Sequence, residues 1–513
     1  MKRFAYIGIA AVTLTVLCFA GTSVGDPGAA AVENQRHPDH GDTYLNPILG
    51  GDYPDPSVIR VGDDFYMTHS SFEYYPGLLV WHSKDLVNWE PVCHALTDYV
   101  GSVWAPDLVK YGDMYYIYFP ANNTNWVVTA PSPSGPWSKP KDVGVGFIDP
   151  GHLVDDDGVR HLHLSDGHIV RLTDDGLSAV GEPMKVYDGW QFPKDWLVEC
   201  FCLEAPKVTR RNGYYYLTVA EGGTAGPATS HMVVSSRSRT PWGPWEHSPY
   251  NPIVHTRDKA EQWWSRGHGT LVDDSKGNWW IMYHGYERHF HTLGRQTLME
   301  PVEWTPDGWF RVPDGANVEK SIEKPSGIPV TGGMALSDDF TGESLGIQWQ
   351  FFREYTPERL EFTGDGLVME PQGASPTDSK PLLCIPMNYS YEITVEVEIT
   401  GDATGGLLLF YSPDTYCGLG LRKDFFITYM RGRDYVRERN TVGNHVYLRV
   451  LNEEHQVSTY YSLDGKNWTK SDRSMDTSGY NHNTFGGFFS LRTGLFSAGE
   501  GTVTFRNFTY RGL

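Results

Sequence analysis

Positive charge is scarce in this chain. Lys and Arg number 42 against 63 Asp and Glu, a formal net charge of −21. Binding to nucleic acid or to an anionic membrane surface requires a basic face, so both partners are excluded as expectations. Cysteine is also sparse, at six in 513 residues. One of these, Cys18, lies in the apolar N-terminal run, and the remaining odd handful makes no disulfide framework. Cys200 and Cys202 are two apart and are expected to pack on one face of a strand. No second Cys/His pair stands at metal spacing from them. Long amphipathic helical patterns are missing throughout. Apolar runs are missing too, with one exception. Lys2 and Arg3 precede the mostly apolar stretch Ala5–Ala20, and Ser23-Val24-Gly25 offers a small-residue cleavage site. Residues 1–25 therefore read as a signal peptide, and the protein is expected to be secreted or periplasmic with no membrane contact beyond export.

Aromatic and turn-forming residues are abundant instead. Phe, Trp and Tyr make up 14% of the chain, with 55 Gly and 33 Pro. Many aromatics with many turn-formers point to short strands and tight turns, hence an all-β class. Aromatic surface with a low basic content suits a neutral carbohydrate ligand. At 513 residues the chain exceeds one ordinary core, so at least two domains are expected.

A unit recurs in the first part of the chain: a Gly/Asp/Asn turn followed by an aromatic strand. It appears as Gly62-Asp63-Asp64-Phe65-Tyr66, Gly112-Asp113-Met114-Tyr115-Tyr116, Asp157-Gly158-Val159-Arg160-His161, Asn212-Gly213-Tyr214-Tyr215-Tyr216 and Gly277-Asn278-Trp279-Trp280. The spacings of about 46 to 65 residues each suit one four-stranded blade plus loops. Five units predict a five-bladed β-propeller over residues 44–312. A Pro/Gly-rich aperiodic linker follows at 313–335. Beyond it, alternation of period two, as in Tyr391-Glu392-Ile393-Thr394-Val395-Glu396-Val397, predicts a β-sandwich over 336–513.

A propeller gathers residues from different blades around one axis. Three acids beside proline near predicted blade starts stand out: Asp55 in Tyr53-Pro54-Asp55-Pro56, Asp107 in Trp104-Ala105-Pro106-Asp107, and Glu204 in Glu204-Ala205-Pro206. Asp is depleted in strands, so acids at strand starts call for a reason. Taken one at a time, each also reads as ordinary turn chemistry. Paired carboxylates are the machinery of glycoside hydrolysis: one protonates the leaving oxygen, and the other activates water or attacks the sugar. Glu199, five residues earlier, lacks the following proline, and Glu204 is preferred.

With these motifs the chain resembles glycoside hydrolase family 43 over about residues 45–312. Asn46-Pro47-Ile48-Leu49, Asp52-Tyr53-Pro54-Asp55-Pro56-Ser57, Ile148-Asp149-Pro150, Ala220-Glu221-Gly222-Gly223-Thr224, Gly267-His268-Gly269 and Leu293-Gly294-Arg295-Gln296-Thr297 fit the same family. The C-terminal part resembles the jelly-roll, concanavalin-A-like module of many exo-acting members. The resemblance implies Asp55 as general base, Glu204 as general acid, and Asp107 as the group that raises the pKa of Glu204. It implies inversion, with the two carboxyls roughly 6.5–9.5 Å apart. It implies Arg295 as a sugar ligand and His268 as an axial residue near a divalent cation such as calcium, with no organic cofactor. Trp104, Phe72 and Trp264 are candidate sugar platforms, and Glu221 a pocket-shaping acid. The loop Arg422-Lys423-Asp424-Phe425-Phe426 is a candidate wall that favours a chain end. The expected activity is exo-hydrolysis of terminal α-L-arabinofuranosyl or β-D-xylosyl residues of plant cell-wall carbohydrate. A β-galactosidase of the same fold and a non-catalytic carbohydrate-binding propeller are the alternatives. The oligomeric state stays open.

Overall fold

The structure, a computed structural model, describes residues 41–513. The signal-peptide expectation for 1–25 lies outside the described residues. Each of the five repeats is the tight turn joining the first two strands of a blade. Gly62, Gly112, Gly158, Gly213 and Gly277 occupy these turns with φ between 60° and 93°, a region open to glycine at little cost. The blades are four antiparallel strands each, spanning Ser57–Leu96, Asp107–Asp142, Gly151–Lys185, Glu204–His247 and Trp263–Arg311. The fourth carries one extra short strand, Val254–His255. The segment before the first blade closes the ring against the last one. The amide of Ile48 donates to the Thr297 carbonyl at 3.0 Å, and that of Tyr53 to the Arg295 carbonyl at 3.1 Å.

The second domain is a sandwich of a seven-stranded and an eight-stranded sheet. Its period-two strand, Ser390–Ile399, alternates part-exposed and buried without a break, because one face meets the core and the other meets water. Two features depart from the sequence reading. The segment 313–335 is not wholly aperiodic: Ile322–Glu323 pairs with Thr43–Tyr44. The outermost strand of the eight-stranded sheet, Tyr74–Tyr75, comes from the first blade and pairs with Phe351 and Phe352. One apolar cluster accordingly runs from Tyr53, Trp81 and Trp89 of the propeller to Leu336, Phe340 and Trp349 of the sandwich. Among the described residues, the only α-helix is His482–Phe485, and no helix is long and apolar enough to cross a membrane.

Cys200 and Cys202 do not sit on a strand. They lie in the irregular segment before Glu204 and are joined to each other as a disulfide. The expectation that they merely pack is corrected. A spacing of two places both thiols within bonding reach whenever the chain between them bends.

Candidate active site

Four of the blades begin with the same element, a residue followed by proline at the axis: Asp55-Pro56, Ala105-Pro106, Asp149-Pro150 and Ala205-Pro206. Asp55, Asp149 and Ala205 take φ of 55–59°, outside the extended region favoured before proline. Such non-glycine left-handed residues cost about 1–3 kcal/mol each and cluster at functional sites. This turn lifts Asp55 and Asp149 out of the ladder and into one small pocket. Trp104, Ala105, Ile148 and Glu204 line the same pocket, with Thr224, His268, Arg295 and Phe72. Its open volume is about 60 Å³, far below the roughly 300–1,000 Å³ of a larger ligand site, which suits one small ring.

Two residues further along, the chain has dived beneath the pocket. Asp107, the first residue of its strand, occupies this lower layer with Lys207 and Ser57. The Lys207 ammonium lies 2.7 Å from Asp107 Oδ1, and the His152 amide donates to Oδ2 at 2.7 Å. Both side chains are under a tenth exposed. Asp107 does not reach the pocket, so its expected role beside Glu204 is corrected. The carboxylate next to Glu204 is Asp149, which accepts the amide of Ala205 at 3.0 Å.

The electrostatics of the carboxyls diverge. Burial alone would push Asp55 up. Arg295, whose guanidinium straddles the carboxylate at 3.0 and 3.4 Å, and the neighbouring His268 and His284 together outweigh it, and Asp55 is held well below the usual carboxylate range. Ser70 also donates to Asp55, while His268 and His284 stand 3.3 and 3.0 Å away. Burial pulls these imidazoles down to about 3 and about 4, so both are neutral near pH 7, and Arg295 is the cation that keeps Asp55 ionised. Glu204 goes the other way. Desolvation first, then the negative charges of Asp149 and Asp55, raise it well above 4.5. Asp149 is pushed to about 7 by burial and by Asp55. The site thus holds one carboxylate ionised near pH 7 opposite a pair of acids that retains a proton.

Arg295 serves Asp55, with its guanidinium 5.5 Å from the Phe72 ring and 5.4 Å from the Phe488 ring. Phe488 belongs to the sandwich and stacks parallel to Phe72 at 6.2 Å, with Trp104 edge-on at 5.8 Å. The wall that the sandwich contributes is therefore the segment around Phe488, not the loop 422–426. Two expected sugar contacts fall elsewhere. Glu221 is fully buried behind the pocket, where its Oε1 accepts the Trp190 amide and desolvation lifts its pKa to about 8. Trp264 lines a separate groove.

Asp55, His268 and His284 place one potential metal-ligand atom each within 4.8 Å of one another. The donor set does not fit calcium, which takes six to eight oxygens. It offers a single carboxylate, already neutralised by Arg295. His284 is committed through Nδ1 to Asp55 and through Nε2 to Thr224.

The sequence pattern of Glycosyl hydrolases family 43 matches residues 44–310, more than half of the chain. The chain belongs to this family. The pattern of the beta-xylosidase C-terminal concanavalin A-like domain matches residues 337–511. A non-reducing end alpha-L-arabinofuranosidase of Bacteroides ovatus is 34% identical over 350 residues, 61% of each protein. A beta-xylosidase of Bacillus subtilis is 26% identical over 522 residues, covering 87% of this chain and 94% of the relative. The crystal structure of the family 43 protein BlXynB from Bacillus licheniformis superposes with a TM-score of 0.83 at 28% identity, covering 92% of this chain and all of that one. The chain spans about three fifths of the length of the first of these relatives.

Two residues of the pocket, Asp149 and Phe488, receive no role from the sequence. Asp149 carried a signal, since Ile148-Asp149-Pro150 has the same acid–proline step as Asp55-Pro56. Phe488 carried none, because its place in the pocket depends on how two domains meet.

Proposed function

We propose that this family 43 chain is an exo-acting, inverting glycosidase that releases terminal pentose units, α-L-arabinofuranosyl or β-D-xylosyl, from plant cell-wall carbohydrate. The supporting observation is the opposed protonation of two carboxyls on one small pocket, Asp55 ionised and Glu204 protonated. Asp55 takes a proton from a water as that water attacks the anomeric carbon. Glu204 donates its proton to the departing glycosidic oxygen. Asp149 keeps that proton on Glu204 until it is needed, and Arg295 keeps Asp55 free of one. Phe72, Trp104 and Phe488 offer ring faces to the sugar. The wall that Phe488 contributes supports action on a chain terminus. Export, expected from the signal-peptide pattern of residues 1–25, would agree with a polymeric substrate outside the cell. The names of the relatives above include both pentosidase activities, and the pocket chemistry suits either sugar.

The test is hydrolysis of aryl α-L-arabinofuranoside and aryl β-D-xylopyranoside, beside Asp55→Ala and Glu204→Ala. Turnover of at least one sugar, with each variant slower by about 10²–10⁴-fold or more, is expected. Silence on both sugars, or an active Asp55→Ala, overturns the assignment.

A further inference from the structure

A second concavity opens beside the catalytic pocket, at the fourth and fifth blades. It is a groove of about 990 Å³, some sixteen times the open volume of the pocket. Three tryptophans line it: Trp190, Trp196 and Trp264. Trp190 and Trp196 meet edge-to-face at 6.1 Å. His255 stacks on Trp196 at 4.6 Å and nearly parallel, which fixes that indole and covers one of its two faces. The Trp264 N–H is taken up by the Lys259 and Glu261 carbonyls, so its polar edge is already satisfied. These are aromatic surfaces held in place by neighbouring groups. The charges along the groove are mixed, with Asp258 between Arg257 and Lys259. That is no site for a polyanion.

The groove is continuous with the catalytic loop. Thr224 lines the pocket, and Gly226, Pro227, Ala228 and Thr229 of the same loop line the groove. Glu221, at the base of this loop, accepts the amide of Trp190 from the other wall. A pocket that takes one ring leaves the rest of a polymeric substrate outside it. A rigid aromatic groove of mixed charge next to that pocket suits a neutral sugar chain, whose C–H faces pack on indoles and whose hydroxyls meet the polar rim.

We propose that the Trp190–Trp196–Trp264 groove binds the neutral xylan-type backbone of the substrate, apart from the residue being cleaved. This rests on the pentosidase reading for the choice of glycan. Full-length Glu204→Ala protein, which binds without turnover, is run in native gels containing soluble xylan, with and without Trp196→Ala. Retardation of the parent is expected, with a Kd at least tenfold weaker after Trp196→Ala and substantial recovery with Trp196→Phe. In the active background, Trp196→Ala leaves aryl-pentoside hydrolysis unchanged, which also shows that the variant folds. Equal retardation of parent and variant, or none of the parent, overturns the proposal. So does concentration-dependent self-association that Trp196→Ala abolishes while xylan has no effect, since the groove is then a protein contact. An enzyme silent on aryl pentosides that is still retarded through Trp196 would sink the activity and leave the groove standing.

Discussion

Replacing Asp107 by Asn separates two carboxylates that the sequence presents alike. The substitution keeps the shape and removes the charge opposite Lys207. Both side chains are nearly dry, and breaking such a buried pair by removing one partner costs about 3–5 kcal/mol. Lys207 retains the Pro106 carbonyl at 2.9 Å and the Pro150 carbonyl at 3.4 Å, and Asn still offers an oxygen, so the low end applies, about 3 kcal/mol. For a unit of this size 1 kcal/mol moves Tm by roughly 2 °C, which gives a fall of about 6 °C. Asp149→Asn should do the reverse. It leaves the ion pair alone but takes away a negative charge that raises Glu204, so the alkaline limb of kcat/KM moves to lower pH. Calorimetric scans and pH–rate profiles of both variants decide the matter. An Asp107→Asn protein with native Tm and a shifted alkaline limb, beside an Asp149→Asn protein with neither, would refute the two-layer arrangement.

Three other outcomes are expected. In the unaltered protein, kcat/KM should stay level on the acid side to below 3.8, because Arg295 helps hold Asp55 ionised, and should fall on the alkaline side only above about 7, where Asp149 is already ionised and Glu204, held up by that charge, gives up its proton; an acid limb at 4 or above would contradict the role given to Arg295. Phe488→Ala removes the sandwich's face of the pocket and should raise KM for aryl pentosides by about tenfold, the equivalent of one aromatic contact, with a nearly native Tm; unchanged kinetics would deny the wall. Replacing Cys200 and Cys202 together by Ser opens a loop so short that chain entropy predicts a loss of only roughly 1.5 kcal/mol, measurable as a small shift in denaturant midpoint; a collapse of the fold would show that the bridge does more than close its own loop.

The five blades were legible because each repeats one chemical necessity, a left-handed glycine turn before an aromatic strand. Asp55, Glu204, Arg295 and Trp104 were legible because proline steps and family motifs mark them, and Phe72 only as one aromatic among many. Asp107 misled for a geometric reason. An acid before proline and an acid after it look similar in a string, but the chain descends two strand positions between them. That descent carries Asp107 into the lower layer and leaves Ala105 at the pocket wall. Glu221 and Trp264 share sequence neighbourhoods with pocket residues, yet strand direction turns one behind the wall and the other into a separate groove. His268 stood out in its glycine-flanked motif, but Phe488 and His284 depend on contacts between segments distant in sequence, which no local pattern encodes.

The strand Tyr74–Tyr75 has a consequence for anyone who would cut this chain into modules. The first blade lends that strand to the rim of the sandwich, against Phe351 and Phe352. A scissors cut in the segment 313–335 therefore severs a sheet as well as a tether. The liberated C-terminal half would display the raw backbone edge of Gln350–Phe352, an invitation to pair with another copy and aggregate. The liberated N-terminal half would keep every acid of its pocket and lose the Phe488 side of it. Swapping sandwiches between relatives to change specificity would have to carry this seam along, with residues 72–75 travelling beside their new partner.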